Sequence, residues 1–141
     1  MLDAFLTGLP ATDAAGRRYR YAMEFRHPSF DTEEVRERLA AAGVAWCVAD
    51  TDPSGDTPVP PGEKAASLVR TAGDFAYLRL RRTGYDAEAI AGWAGPIGAA
   101  LAEGVDVYAY LKHEDSATGT RDAAALMALA APEAAATSRR R

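Results

Sequence analysis

Residues 20–50, RYAMEFR-HPSF-DTEEVRERLAAAG-VAWCVAD, decide the fold. The first seven alternate. Tyr21, Met23 and Phe25 form an apolar face and Ala22, Glu24 and Arg26 the other, the period of a half-covered strand. Residues 27–30 form a loop. Asp31 then opens a helix as its N-cap, with Glu34 three residues on. Val35, Leu39 and the alanines supply an apolar stripe, and Gly43 closes the helix. Residues 44–48 are continuously apolar, as in a strand covered on both faces, and the run ends at Asp50. Strand, helix and strand in this order form a βαβ unit, whose two strands lie parallel with a right-handed crossover.

Working outward, the same alternation repeats. Residues 1–9 read as a short helix, with Leu2, Phe5, Leu6 and Leu9 at helical spacing. Residues 51–62, rich in proline and small polar residues, form a long loop, followed by a short helix over 63–71. Phe75–Leu80 is the third strand. Residues 86–103 form a helix with Ile90, Trp93, Ile97 and Leu101 on one face, kinked at Pro96. Residues 105–111 are the fourth strand and 121–131 the last helix; 132–141 read as a disordered tail. The expected fold is α/β: a four-stranded parallel sheet with helices, in one domain over residues 1–131.

Composition narrows the function. The chain has 141 residues and a net charge of −4, so no global basic surface is available for a nucleic-acid backbone. No apolar run reaches the ~18 residues of a membrane span, and the opening residues lack the pattern of a signal peptide. Cys47 is the one cysteine, which excludes a disulfide framework and a thiolate metal cluster. A soluble, cytoplasmic chain is expected.

Charge gathers where the strands end. The first ends Glu24-Phe25-Arg26-His27, the second at Asp50, the third Arg79-Leu80-Arg81-Arg82 with Tyr85 after it, and the fourth Lys112-His113-Glu114. In parallel α/β folds this end is the ligand face. Alternation pairs Glu24 with Arg26, Tyr77 with Arg79, and Tyr110 with Lys112 on shared faces. Arg26, Arg79 and Lys112 are candidates to hold an anionic group, balanced by Glu24 and Asp50. Tyr77, Tyr85, His113 and Glu114 complete the candidate ligand set. Glu24 or Asp50 would serve as general base, with His27 or His113 shuttling protons. The two histidines with Glu24, Asp50 or Glu114 could hold a divalent metal, although no tight ligand spacing is present. A purely structural salt-bridge layer is the competing reading of the same cluster.

These blocks also resemble a known family. Glu24-Phe25-Arg26-His27-Pro28-Ser29-Phe30 is similar to the Glu-Phe-Arg-His-x-Ser-Trp block of the YecE-like family, catalogued as a domain of unknown function, number seventy-two. Phe75–Leu80 with Tyr85, and Leu2-Asp3-Ala4-Phe5-Leu6 with Leu9-Pro10, resemble further blocks in the family's order, and Tyr108-Ala109-Tyr110-Leu111-Lys112-His113-Glu114 resembles the strand-end block of a branch that has Lys-His-Glu there. Phe30, Arg81-Arg82 and the Lys112-His113-Glu114 end depart from its usual residues. The resemblance implies a TIM-like (β/α)₈ barrel of which this chain supplies strands five to eight. Such a half-barrel would be marginally stable until a complementary amino-terminal half or a second copy covers it.

Three functions follow. The first is an enzyme or its remnant acting on a small anionic or polyol ligand, such as a phosphorylated or sugar-like substrate, by hydrolysis or isomerisation. The second is a non-catalytic binding or interaction module. The third, disfavoured by net acidity, is a nucleic-acid binder using Arg79, Arg81, Arg82 and the arginine tail.

Overall fold

A computed structural model describes residues 1–51, 74–112 and 117–131. Its centre is one four-stranded sheet in the order β1 (Tyr21–Met23), β2 (Val44–Asp50), β3 (Phe75–Leu80), β4 (Asp106–Leu111), every neighbouring pair parallel. Around it lie α1 (Leu2–Thr7), α2 (Glu33–Ala41), α3 (Ala87–Ala102) and α4 (Thr118–Ala130). The expected helix over residues 63–71 and the tail over 132–141 lie outside the described residues.

Local chemistry sets the element boundaries. The helix after the first strand is capped by Thr32, whose hydroxyl accepts the Val35 amide at 3.3 Å, and not by Asp31. A short 3₁₀ turn, Pro28–Phe30, ends on Asp31, so Thr32 is the first residue in the extended conformation a cap requires. Gly43, just beyond the Ala42 cap, takes φ +65°, a left-handed value that suits glycine. Asp86 caps α3 by accepting the Ala89 amide at 2.8 Å. That helix continues through Pro96 to Ala102.

The helices cover one face of the sheet in two clusters. Val48, Ala76, Leu78 and Leu80 pack against Ile90, Trp93, Ala94 and Ile97 of α3 and Leu126 and Ala130 of α4. Val44, Trp46, Tyr21, Met23 and Phe25 pack with Leu6 and Leu39 of α1 and α2. At about 25 cal/mol per Å² of buried apolar surface, these two layers are the main favourable term in folding. The sheet's other face meets no helix among the described residues. It presents rows of register partners: Cys47 beside Tyr77 beside Tyr108, and Ala49 beside Arg79 beside Tyr110.

The first strand is shorter than its alternation predicts. The β1–β2 ladder runs from Tyr21↔Val44 to Met23↔Trp46 and stops. Beyond Met23 the chain is held by Phe25 instead, whose ring centre lies 4.8 Å from both Phe30 and Trp46. Side-chain stacking replaces backbone pairing there, and β2 continues alone on that side to Asp50.

Candidate functional site

The charged residues at the strand ends divide between the two faces of the sheet. On the open face, Glu24 forms an ion pair with Arg79, 55 residues later, and a looser one with Arg26 at 3.6 Å. The hydrogen bond that Arg79 donates to Glu24, then the charge of Glu24, stabilises the Arg79 guanidinium and raises its pKa. Tyr77 and Tyr110 lie beside this pair, ring centres 5.1 Å apart. Arg26 is 82% exposed, so its charge faces solvent. Lys112 is half-buried past the end of β4, its amide bonded to the Leu80 carbonyl at 2.8 Å.

Asp50 is not part of this group. It is fully buried and turned to the helix side, in register with Leu80. Arg82 Nε lies 3.0 Å from its carboxylate, and the Tyr85 hydroxyl donates to it at 3.1 Å. The same hydroxyl accepts the Arg82 amide at 3.3 Å. The expected balance of Asp50 against Arg26, Arg79 and Lys112 is therefore corrected: Asp50 and Tyr85 anchor the chain that leaves β3. The pattern of β2 holds the reason. Val44, Trp46 and Val48 are the large residues and seek the helix layer, whereas Ala45, Cys47 and Ala49 are small. Asp50 shares the parity of the large set. That size alternation is visible in the sequence and is the signal that could have placed Asp50.

His27 stands at the turn that follows the first segment, where it caps the Pro28–Phe30 turn. Its Nδ1 accepts the Ser29 amide at 3.2 Å and lies 2.8 Å from the Ser29 hydroxyl. An amide only donates, so Nδ1 carries no proton in the neutral ring and Nε2 is the donor. His113 and Glu114 lie outside the described residues. Among the described residues, no three His, Cys, Asp or Glu side chains are arranged to hold a metal ion.

Where β1 leaves β2, a cleft of about 310 Å³ opens between residues 25–28 and the continuing strand. Arg36 and Asp31 stand at its side, ion-paired to each other, with the Arg36 guanidinium 5.1 Å from the Trp46 ring centre. Sequence reasoning did not single out Arg36 or Trp46, because the cleft exists only through the early end of the β1–β2 ladder. Burial, and secondarily the charge of Glu24, pushes the neighbouring Cys47 thiol up to about 11, so it is neutral at physiological pH.

The fold and this charged rim define a parallel α/β protein that carries ion-paired groups at the carboxyl ends of its strands. The chain belongs to the DUF72 family: the model described as "Protein of unknown function DUF72" matches residues 1–141. A solved DUF72 family protein from Thermotoga maritima superposes with a TM-score of 0.55 at 23% identity, covering 80% of this chain and 46% of its own. The chain thus spans less than half the length of that relative, and its sheet is consistent with part of a TIM-like barrel. No curated protein matches the sequence. No helix among the described residues is long and apolar enough to cross a membrane.

Proposed function

We propose that the strand carboxyl ends bind a small anionic ligand, carrying phosphate or carboxylate, in a portion of a TIM-like barrel. The supporting observation is the charge balance of the open-face rim. Among the described ion pairs, one carboxylate, Glu24, meets two guanidiniums, Arg79 and Arg26, and the longer pair leaves the charge of Arg26 exposed to solvent. Glu24 would exchange a proton with a ligand held there, and His27, three residues on, would be the donor. Whether turnover follows binding depends on that pair. A cytoplasmic setting is part of this reading, in keeping with a free, buried Cys47. A nucleic-acid role has less support, since Arg79 and Arg82 are already paired with Glu24 and Asp50.

The test is calorimetric titration of the chain with inorganic phosphate, beside thermal melts. Arg79→Ala and Glu24→Gln are expected to change phosphate binding while the chain stays folded. A large fall in melting temperature, with no binding by the parent chain, would instead identify a structural salt-bridge layer.

A specific observation favours a second reading, an interaction module. Tyr108 and Tyr110 are 42% and 54% exposed on the open face, and in the described sheet β4 pairs on one side only. Such a face suits cover by complementary β/α units, and light scattering of the purified chain tests it. A monomer that melts cooperatively would count against this reading.

A further inference from the structure

The cleft where β1 departs from β2 deepens the anion-binding reading, on which the following rests. Its floor is β2 at residues 47–49, which have no ladder partner on the β1 side because the register ends at Met23↔Trp46. That strand edge offers main-chain donors and acceptors to whatever enters. Phe25 and Trp46 give the cleft an apolar wall. Arg26 and His27 stand at its mouth.

The chemistry of those groups is one-sided. Arg26 is 82% exposed, carries a full positive charge and sits 3.6 Å from its nearest carboxylate, Glu24. His27 presents its Nε2–H as donor, since Nδ1 accepts from Ser29. Asp31 is neutralised by Arg36 and Glu24 by Arg79, so among the described residues Arg26 carries the charge in excess. The thiol of Cys47 adds no negative charge. A volume of about 310 Å³ lies at the small end of ligand cavities, roughly 300–1,000 Å³, and is too small for a dinucleotide.

We infer that this cleft binds a small aromatic oxyanion, an aryl phosphate or aryl carboxylate, with its anionic oxygens on Arg26 and His27 and its ring against Phe25 and Trp46. The anion supplies the charge that Arg26 lacks, and the ring fills the space that the interrupted ladder leaves open.

Tryptophan emission reads this directly. The chain has two tryptophans, and Trp93 is fully buried in the α3 core, so a ligand-dependent change reports Trp46. Phenyl phosphate and benzoate, titrated at millimolar concentration, are expected to shift the emission of the parent chain and of Trp93→Phe, but not of Trp46→Phe. Phenyl phosphate should bind more tightly than inorganic phosphate. Arg26→Ala and His27→Ala should each weaken it, the former by roughly tenfold or more, the usual effect of losing a charged hydrogen bond. Both side chains are exposed, so neither change threatens folding. Arg79→Ala frees Glu24 to draw on Arg26 and should weaken aryl binding as well, so the cleft is read from His27→Ala and from the Trp46 emission. Binding that is lost in Arg79→Ala, kept in His27→Ala and silent in emission overturns the cleft while sparing the rim. Failure of every probe, inorganic phosphate included, overturns both.

Discussion

Arg20 and Asp106, 86 residues apart, form an ion pair of 2.7 Å. Arg20 directly precedes β1 and Asp106 opens β4, so the bond crosses the full width of the sheet. In a flat sheet the two strands would stand about 14 Å apart, three spacings of ~4.8 Å, with side chains upright. The pair closes because the sheet is curled toward its open face. Tyr108 and Asp74 also bond Arg20, and its guanidinium sits 5.4 Å from the Phe75 ring centre. At the opposite end of the strands, Glu24, just past β1, and Arg79 of β3 are joined in the same manner.

Replacing Arg20 by alanine is therefore expected to lower the melting temperature, and the loss should shrink as salt is added, because the pair is partly exposed. A double-mutant cycle with Asp106→Asn measures the coupling. Additive effects of the two changes would show that the bridge does not hold the curvature.

Asp50→Ala should be far more severe, about 3–5 kcal/mol, since it leaves the guanidinium of Arg82 without its buried carboxylate. Tyr85→Phe removes one hydrogen bond to the same carboxylate and should cost about 1 kcal/mol. Urea melts of the two variants would separate them. Equal costs would refute the assignment of Asp50 as the anchor.

Two glycines of α3 should respond in opposite ways. A methyl at Gly95 meets nothing within 4 Å, so Gly95→Ala should gain about 0.5–1 kcal/mol of helix propensity. At Gly98 the same methyl lies 3.3 Å from the Ala130 carbonyl oxygen, where α4 ends against α3. Gly98→Ala should show none of that gain. Thermal melts of both variants decide it.

Alkali should weaken the fold through Cys47. The unfolded thiol ionises near its ordinary 9.0, whereas burial holds the folded one at about 11. A raised pKa of this kind means that stability is complete below the unfolded value. It falls as pH rises from 9 toward 11, where the unfolded chain alone releases the proton. Tyr85 and Tyr77, both raised first by burial, act in the same direction above their ordinary range near 10. Cys47→Ala should flatten the fall between pH 9 and 11 in urea melts. A thiol held at about 11 should also be alkylated at pH 8 more slowly than an ordinary thiol, by on the order of 100-fold.

Much of the architecture is legible in the chain. Alternation over Tyr21, Met23 and Phe25, the apolar run that opens β2 and the periodicity of Ile90, Trp93 and Ile97 specify strand, strand and helix. Short-range sterics and one-sided burial act within ten residues of chain, and their order alone selects a parallel sheet. The family blocks at residues 24–30 and 108–114 are equally local. Which charges meet is set by the folded chain alone. Glu24 finds Arg79 across an intervening strand, Asp50 turns to Arg82 behind the sheet, and the β1–β2 ladder ends at Met23, opening the cleft beside Trp46. Each depends on the side of a strand that a residue takes and on how far two strands stay paired. Those are set by packing between segments distant in sequence, because burial of the large residues of β2 outweighs any preference Asp50 has for the open face.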